Sequence, residues 1–263
     1  MLIIAERINA TRRRIGRAIE ERDAGLLERE VRIQAEAGAD FIDVNAASDP
    51  AREIDDLRWA VEVVQRSTDL PLCLDSSDPE ALRAGLELIE GDVVMLNSVT
   101  GEPDKMQQVI PLAAESGARL VALTMDGRGL PDTAERRVDI AAKLIEAAQS
   151  AGIERGRLFV DPCIQPISTS VEQALAVLSA VFRIMQAFPG AHTTCGLSNI
   201  SFGLPNRPLI NRTYLGCLIA AGLDSAILDP TAGEVMDVVR AAEALAGRDD
   251  FCMNYIRAMR ERL

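Results

Sequence analysis

Short apolar runs in this chain end in polar side chains that could bind a ligand or catalyse a reaction. These side chains are carboxylates, carboxamides and hydroxyls, and the chain has a single histidine, His192. A single histidine excludes a multi-histidine metal centre, and its place at the start of a predicted strand, away from these residues, argues against a Ser-His nucleophile. Recognition by hydrogen bonds is favoured instead. The polar residues at the ends of the runs are Glu6, Asn9, Asp43, Asn45, Asp75, Ser76, Asn97, Ser98, Asp126, Asp161, Ser198, Asn199 and Asp229.

The spacing of the runs predicts the elements that position these residues. Eight runs recur about every thirty residues, and a segment with helical periodicity follows each one. Because continuous apolar runs suit strands buried on both faces, the pattern predicts an α/β fold, a (β/α)₈ TIM barrel. The carboxyl ends of barrel strands form the active site, so the polar residues would converge there. His192 would begin a strand at the opposite end.

The length of the chain fits one barrel. At 263 residues it is close to the roughly 250 residues of a typical TIM barrel. We therefore expect one barrel domain over residues 1–263, with the barrel itself ending near residue 246. The first strand is predicted at Leu2 to Ala5, and one helical region from about Ile15 to Ala37. Apolar residues at near-helical spacing predict an extra helix over about 249–263, covering one barrel end or a neighbouring subunit.

Charge and composition restrict the partners. The chain carries 28 basic and 40 acidic residues, a formal net charge of -12, which argues against nucleic acid or an anionic membrane as main partner. No apolar stretch approaches the roughly 18 residues of a membrane span, and the amino terminus enters a strand without a charged leader. We expect a soluble cytoplasmic protein. Its five cysteines form no CxxC pair and are expected to pack mainly as free, buried thiols.

The polar strand ends favour a flat, nitrogen-rich ligand. They offer many hydrogen-bond acceptors and little positive charge, which disfavours a phosphate-bearing substrate. A pterin presents several N–H donors along one edge, and a carboxylate can pair with that edge in plane.

Six fragments of the sequence resemble a known family. They are ERIN at the start, LDSS, LNSV, VDPC and GLSNISFG at strand ends, and NRPLINRTYL after the seventh strand. In this order they resemble the pterin-binding methyltransferases. That family includes methyltetrahydrofolate:corrinoid/iron-sulfur protein methyltransferase, related tetrahydrofolate:corrinoid methyltransferases and the folate domain of cobalamin-dependent methionine synthase. The resemblance spans the whole chain, although the loop ISFGLPNR departs from the acetogenic enzyme and leaves the choice of corrinoid partner open.

The resemblance implies a reaction and its participants. A methyl group would move, in either direction, between 5-methyltetrahydrofolate and the cobalt of a corrinoid (cobalamin) carried by a partner protein. The resemblance implies a homodimer, and it implies no metal ion bound by this chain. Because cobalt(I) would attack the methyl carbon, the chain itself would need no nucleophile.

The resemblance also implies roles for individual residues. Asp75, Asn97 and Asp161 would hold the pterin ring, with Ser198 nearby, and Asn199 would lie beside the nitrogen that carries the methyl group. A tertiary amine is a poor leaving group, so hydrogen bonding from Asn199 would assist the reaction as that nitrogen gains a proton. Further candidate binding residues are Glu6, Asn9, Asp43, Asn45, Met125, Phe202 and Arg207.

Some alternatives stay open at this point. Arg207 and Arg212 either bind the glutamate tail of folate or the partner protein, or form structural ion pairs. Dihydropteroate synthase shares the barrel and the pterin edge, but its diphosphate site usually needs an Arg-x-His at the eighth strand, which AILDP lacks. A non-catalytic folate-binding subunit is another reading. The remaining one is a magnesium-dependent aldolase or sugar-processing barrel that uses Asp43, Asp75 and Asp161. Neither the direction of transfer nor the pathway follows from the sequence.

Overall fold

Eight parallel strands surround a central axis in the computed structural model, which describes residues 1–260. The strands form one sheet in the order β7-β6-β5-β4-β3-β2-β1-β8. They are β1 (Leu2–Asn9), β2 (Phe41–Asn45), β3 (Leu72–Asp75), β4 (Val94–Thr100), β5 (Arg119–Leu123), β6 (Leu158–Asp161), β7 (His192–Thr193) and β8 (Ser225–Leu228). Just beyond β7, the Ile227 N–H donates to the Cys195 carbonyl at 2.8 Å and joins the two sheet edges. The predicted TIM barrel is confirmed.

Helices connect the strands and pack around the barrel. They are α1 (Arg13–Glu20), α2 (Ala24–Glu36), α3 (Glu53–Gln65), α4 (Pro79–Leu86), α5 (Pro103–Ser116), α6 (Ala134–Ser150), α7 (Gln173–Ala187), α8 (Arg207–Ala221), α9 (Val235–Leu245) and α10 (Met253–Arg260). The prediction of one helical region from Ile15 to Ala37 is wrong. Arg22 adopts a positive φ of 57°, and the Asp23 side chain then caps α2 by accepting from the Leu26 N–H at 3.1 Å.

The interior of the barrel has an apolar layer below a polar one. Side chains alternate between the faces of a strand, so every second residue points inward. The apolar layer is a buried cluster of Ile4, Phe41, Cys73, Met95, Val121 and Phe159. Two positions further along five of these strands stand Glu6, Asp43, Asp75, Asn97 and Asp161. The strands therefore raise these five polar side chains together on top of a closed hydrophobic floor.

The chain beyond the barrel is helical, as predicted, within the residues described. A short 3₁₀ turn, Asp250–Cys252, leads into α10, and the last three residues of the predicted 249–263 helix lie outside the described part of the chain. The helix α10 touches α9 but buries none of its own residues, and Phe251 is 92% exposed.

None of the helices within residues 1–260 combines the length and apolarity that a membrane span requires. In that same range all five cysteines are free thiols. Cys73, Cys163 and Cys195 are buried, as expected, whereas Cys217 and Cys252 are exposed.

Candidate functional site

Strand register brings four of the predicted site residues into one row. Asn9 pairs with Asn45, Asn45 with Asp75, and Asp75 with Asn97, along β1 to β4. The Asn45 Nδ2 donates to Asp75 Oδ2 at 3.1 Å. A continuous edge of amide and carboxyl groups therefore lines this half of the barrel mouth. Asn9 is directed to its own loop, because its Oδ1 accepts from the N–H and the hydroxyl of Thr11.

Burial makes Asp75 a weak acid for its type. Its pKa is raised to about 6, first because burial disfavours the charged form. The hydrogen bond from Asn45 opposes this shift, and the negative charge of Glu53 adds to it. Asp75 is therefore mostly ionised at pH 7 and can accept hydrogen bonds there. It takes up a proton as the pH falls through about 6.

Asp161 lies at the end of β6, three strands around the sheet from β3. Its Oδ1 accepts from the Cys163 N–H at 2.7 Å. Burial raises its pKa to about 6, while the backbone N–H groups of Cys163 and Gly196 and the charge of Arg137 lower it. Asp75 and Asp161 are thus two buried carboxyl groups of similar acidity at the carboxyl ends of different strands.

Asp43 lies one inward-facing position below Asn45 and is only 1% exposed. Burial, with the nearby charge of Asp75, raises its pKa well above the usual range, although Cys73 and Asn97 oppose the shift. Among the described residues, nothing hydrogen-bonds to its Oδ1. The Asp43 carboxyl group therefore favours its protonated form. It lies below the row formed by Asn45, Asp75 and Asn97.

A 3₁₀ turn after β7, Leu197–Ser201, carries Ser198 and Asn199 to the rim. The Ser198 hydroxyl donates to Glu6 Oε1 at 2.8 Å, and Arg12 donates to the same oxygen at 3.1 Å. Burial raises the pKa of Glu6, and the Ser198 hydrogen bond partly offsets that rise. The Asn199 side chain is exposed, and within residues 1–260 it has no hydrogen-bond partner. The turn is therefore held in place by Ser198 and carries an exposed carboxamide close to Gly196.

The two arginines after this turn contact other residues of the chain. Arg207 donates through Nη2 to the Ser198 carbonyl at 2.6 Å and through Nε to the Ser201 hydroxyl at 3.0 Å. Arg212 forms an ion pair with Glu234. Of the readings left open for these arginines, the structural one describes the contacts present.

Two apolar candidates differ in exposure. Phe202 is 65% exposed beside the Arg207 guanidinium, whose Cζ lies 6.0 Å from the centre of its ring. Met125 is half-buried just beyond β5, and its carbonyl accepts from the Gly101 N–H at 2.7 Å.

The expectation of little positive charge at the strand ends is wrong for one side of the mouth. The first strand is longer than predicted, and it places Arg7 where its guanidinium contacts Glu30, Asp229 and Thr231. Arg12 lies 3.7 Å from the same Asp229 carboxylate. Acidic partners neutralise both arginines, and Asp229 holds them at the carboxyl end of β8.

Two other polar strand ends are also engaged by the protein. Arg136 and Arg128 pair with Asp126 at 2.8 and 3.2 Å. The Arg128 N–H bond is the largest of the influences that lower the pKa of Asp126 to about 2. The Ser76 hydroxyl hydrogen-bonds to the buried carboxylate of Glu53. Both side chains therefore hold loops in place.

His192 lies at the opposite end of the barrel, as predicted. Its Nδ1 is 2.7 Å from Asp224 Oδ2, and its ring stacks on Phe159 with centroids 4.7 Å apart. Within the part of the chain that the structure describes, no group of three or more His, Cys, Asp or Glu side chains is arranged to hold a metal ion.

The site as a whole combines a ring of acceptors with one free amide. Asp75 and Asp161 can accept N–H donors from a flat ligand, Asn97 can accept and donate, and Asn199 is available at the rim. The buried thiols of Cys73, Cys163 and Cys195 have raised pKa values, chiefly from burial, so they are poor nucleophiles.

The chain is similar to known proteins over most of its length. The chain is 38% identical over 263 residues to a methylcorrinoid:tetrahydrofolate methyltransferase of Eubacterium limosum, covering 99% of this chain and 97% of that one. It is 31% identical to methionine synthase of Mycobacterium leprae over 92% of this chain, which corresponds to 21% of that larger protein.

Solved structures show the same fold. Dihydropteroate synthase of Stenotrophomonas maltophilia superposes with a TM-score of 0.71 at 19% identity, covering 93% of this chain and 92% of that one. Dihydropteroate synthase of Coxiella burnetii gives a TM-score of 0.72 at 14% identity, with 93% of each chain covered. Residues 5–229 match the family described as pterin binding enzyme. The chain therefore belongs to the pterin binding enzyme family.

Proposed function

We propose that this protein is a methyltransferase that moves a methyl group between tetrahydrofolate and the cobalt of a corrinoid protein. The full-length relative at 38% identity is named for this reaction in the direction from methylcorrinoid to tetrahydrofolate, and we propose that direction as the working one. The observation that carries the proposal is the free Asn199 amide at the rim of a ring of buried acceptors.

The acceptor ring fits the edge of a pterin. An aminopyrimidinone presents adjacent N–H donors in one plane, and a carboxylate accepts two such donors in parallel. In our proposal Asp75, Asn97 and Asp161 bind this edge. Burial strengthens these hydrogen bonds, because little water competes for the same oxygens.

Asn199 would act at the nitrogen that gains or loses the methyl group. When the carbon–nitrogen bond breaks, the nitrogen gains electron density and then a proton. When the bond forms, an N–H is lost. An amide can donate in one case and accept in the other by turning its side chain, which a carboxylate cannot do. Ser198 and Glu6 would hold the turn so that Asn199 stays at the required position.

The corrinoid, when bound by its partner protein, supplies the cobalt that gives or takes the methyl group. This chain would then provide binding, orientation and control of one proton. The exposed side chain of Phe202, next to the Asn199 turn, offers an apolar contact for a partner at the mouth.

The finer expectations on assembly and location belong to the same proposal. We propose a homodimer that buries an apolar stripe on and just before α7. The stripe consists of Val171, Leu175 and Phe182, which are 82%, 72% and 56% exposed in the single chain. If so, Leu175→Asp should convert a dimer to a monomer in light scattering. A dimer unchanged by Leu175→Asp would refute this interface.

We also propose a cytoplasmic location, because cobalt(I) needs a reducing environment.

Dihydropteroate synthase is the alternative reaction on this fold. It would need a cationic site for diphosphate, but Arg7 at the β8 side is already paired with Glu30 and Asp229. A non-catalytic folate-binding subunit is the other alternative, and it would have no use for a free Asn199 amide beside the ring.

A direct assay separates these functions. Purified protein would be mixed with 5-methyltetrahydrofolate and cob(I)alamin, and separately with tetrahydrofolate and methylcobalamin, with spectral detection of the cobalt state. We expect methyl transfer in both mixtures, and transfer slower by about 10² to 10⁴-fold in the Asn199→Ala protein at equal concentration. Incorporation of para-aminobenzoate would instead establish dihydropteroate synthase activity. Folate binding without any transfer would establish the non-catalytic reading.

A further inference from the structure

A fully buried arginine lies behind the acceptor ring. Arg137 projects from α6 and is 0% exposed. Its guanidinium donates to the Pro162 carbonyl at 2.7 Å, to the Gln173 side-chain oxygen at 2.7 Å and to the Thr133 carbonyl at 3.2 Å. No carboxylate within residues 1–260 forms a salt bridge with it. Burying a charge is costly unless another charge or several dipoles compensate it.

Four titratable groups act on the charge of Arg137. The titratable side chains that face it are Asp132, Asp161, Cys163 and Tyr214. Burial raises the pKa of both Cys163 and Tyr214, so these two are neutral near pH 7. Asp132 lies at the exposed start of α6. Asp161 is the buried carboxylate of the set, with 6% of its surface exposed.

Backbone geometry joins the two residues. The carbonyl that accepts from Arg137 Nε belongs to Pro162, the residue directly after Asp161. The next residue, Cys163, donates its N–H to Asp161. Arg137 therefore fixes the strand end that carries Asp161, and its charge stabilises the ionised form of that carboxyl group.

We propose that Arg137 is a positioning residue for the pterin site: through its buried charge it keeps Asp161 ionised and oriented to accept the N–H donors of the ligand. This inference rests on the proposed function, since it assumes that Asp161 binds the pterin edge. An arginine that merely tied α6 to α7 would produce the same hydrogen bonds but would not set the protonation of Asp161.

The pH profile of ligand binding separates these two roles. Affinity for 5-methyltetrahydrofolate would be measured by calorimetry from pH 5 to pH 9 for wild type, Arg137→Met, Arg137→Lys and Gln173→Leu. Removing an opposite charge near a carboxyl group raises the pKa of that group. We expect the pH at which affinity falls to rise in Arg137→Met by more than it does in Arg137→Lys. Arg137→Lys keeps the charge, so its midpoint should stay within a few tenths of a unit of the wild-type value.

Gln173→Leu is the matched control. It removes the hydrogen bond between Gln173 and Arg137 and retains the charge, so a merely structural role would make it resemble Arg137→Met. We expect no shift of its midpoint. Equal profiles for wild type and Arg137→Met, or equal shifts in Arg137→Met and Gln173→Leu, would overturn the inference. Loss of binding in every protein at every pH, wild type included, would instead reject the proposed function.

A double variant tests the inference even if the Arg137→Met protein does not fold. If the cause is the uncompensated Asp161 carboxylate, Arg137→Met/Asp161→Asn should fold at pH 8, as judged by circular dichroism and cooperative unfolding. If Arg137→Met does fold, the Asp161→Asn change should be more favourable to stability in that background than in wild type. A double variant that stays unfolded, or equal effects in both backgrounds, would assign Arg137 to packing alone.

Discussion

The hydroxyl of Ser198 donates to Glu6 Oε1 at 2.8 Å and so fastens the turn after β7 to the first strand, 192 residues away in the chain. Arg207 holds the same turn from its other side through the Ser198 carbonyl. Asn199 follows Ser198 directly, so its position is set by residues that need not contact a ligand themselves.

Glu6→Leu should slow methyl transfer by about tenfold or more while folate affinity changes little. The substitution removes a hydrogen bond to a charged group, worth about 1.5–3 kcal/mol, and frees the turn that carries Asn199. Glu6→Gln retains an acceptor for Ser198 and should recover most of the rate. Single-turnover kinetics together with a folate titration would check this. Equal rates for Glu6→Leu and wild type would contradict it.

Gly196→Ala should also reduce the rate by about tenfold. Gly196 has ordinary φ and ψ values of -75° and 90°, so alanine is tolerated by the backbone. Its added methyl group would lie 3.1 Å from Asn199 Nδ2, so that amide would have to move by a few tenths of an ångström. The control is Gly216→Ala in α8, where the nearest atom is 3.8 Å away and the rate should be unchanged. Equal rates for the two variants would contradict the role given to Asn199.

Arg207→Ala should reduce the methyl-transfer rate, because the turn loses its contacts with the Ser198 carbonyl and the Ser201 hydroxyl. We expect a fall of several-fold to tenfold, as for the loss of two hydrogen bonds. Arg212→Ala, which removes an ion pair on the surface, should leave the rate within about twofold of wild type. Comparing folates with one and several glutamates tests the other reading. A selective loss of affinity for the longer tail in Arg207→Ala would show that this arginine binds it.

Folate affinity should rise as pH increases through about 6. Asp75 and Asp161 both have pKa values of about 6 in the free protein, mainly because of burial, and the ionised forms accept the N–H donors. If one or both must ionise, affinity increases about tenfold to a hundredfold between pH 5 and pH 7. Calorimetry at the two pH values would measure this. Affinity that is constant or falls over this range would contradict the assignment of these carboxylates.

The stability of the free protein should depend on pH in the opposite direction and fall as the pH rises through the same range. A carboxyl group whose pKa is raised on folding binds its proton more tightly in the folded state, so its contribution to stability is lost as pH rises from about 4 to 6. For Asp161 the shift from 3.8 to about 6 corresponds to a loss on the order of 3 kcal/mol. Asp161→Asn lacks this titration. The difference in unfolding free energy between this variant and wild type should therefore change across that pH range.

The fold and the positions of the central candidate residues followed from sequence pattern because both depend on strand periodicity. Apolar runs that end in Asp75, Asn97 and Asp161 give the barrel and its polar layer together. The residue roles at the rim came from the resemblance to a family, since an Asn in a loop has several common structural uses.

Long-range partners could not be read from sequence. Arg7 was hidden because the first strand continues past Ala5, which changes the side chains directed at the mouth. Arg137 appears on an ordinary amphipathic helix, and only tertiary packing shows that it is fully buried behind Asp161. Likewise, the break between α1 and α2 depends on the positive φ of Arg22. Arginine is not a residue type that indicates a positive φ in a sequence.

The central claim is that Asn199 assists breakage and formation of the bond between the pterin nitrogen and the methyl group. The most direct test is the stopped-flow rate of methyl transfer between 5-methyltetrahydrofolate and cob(I)alamin for Asn199→Ala, measured beside folate affinity. The account predicts a rate lower by about 10² to 10⁴-fold with affinity within about tenfold of wild type. A rate near that of wild type, or a rate and an affinity that fall by the same factor, would contradict it.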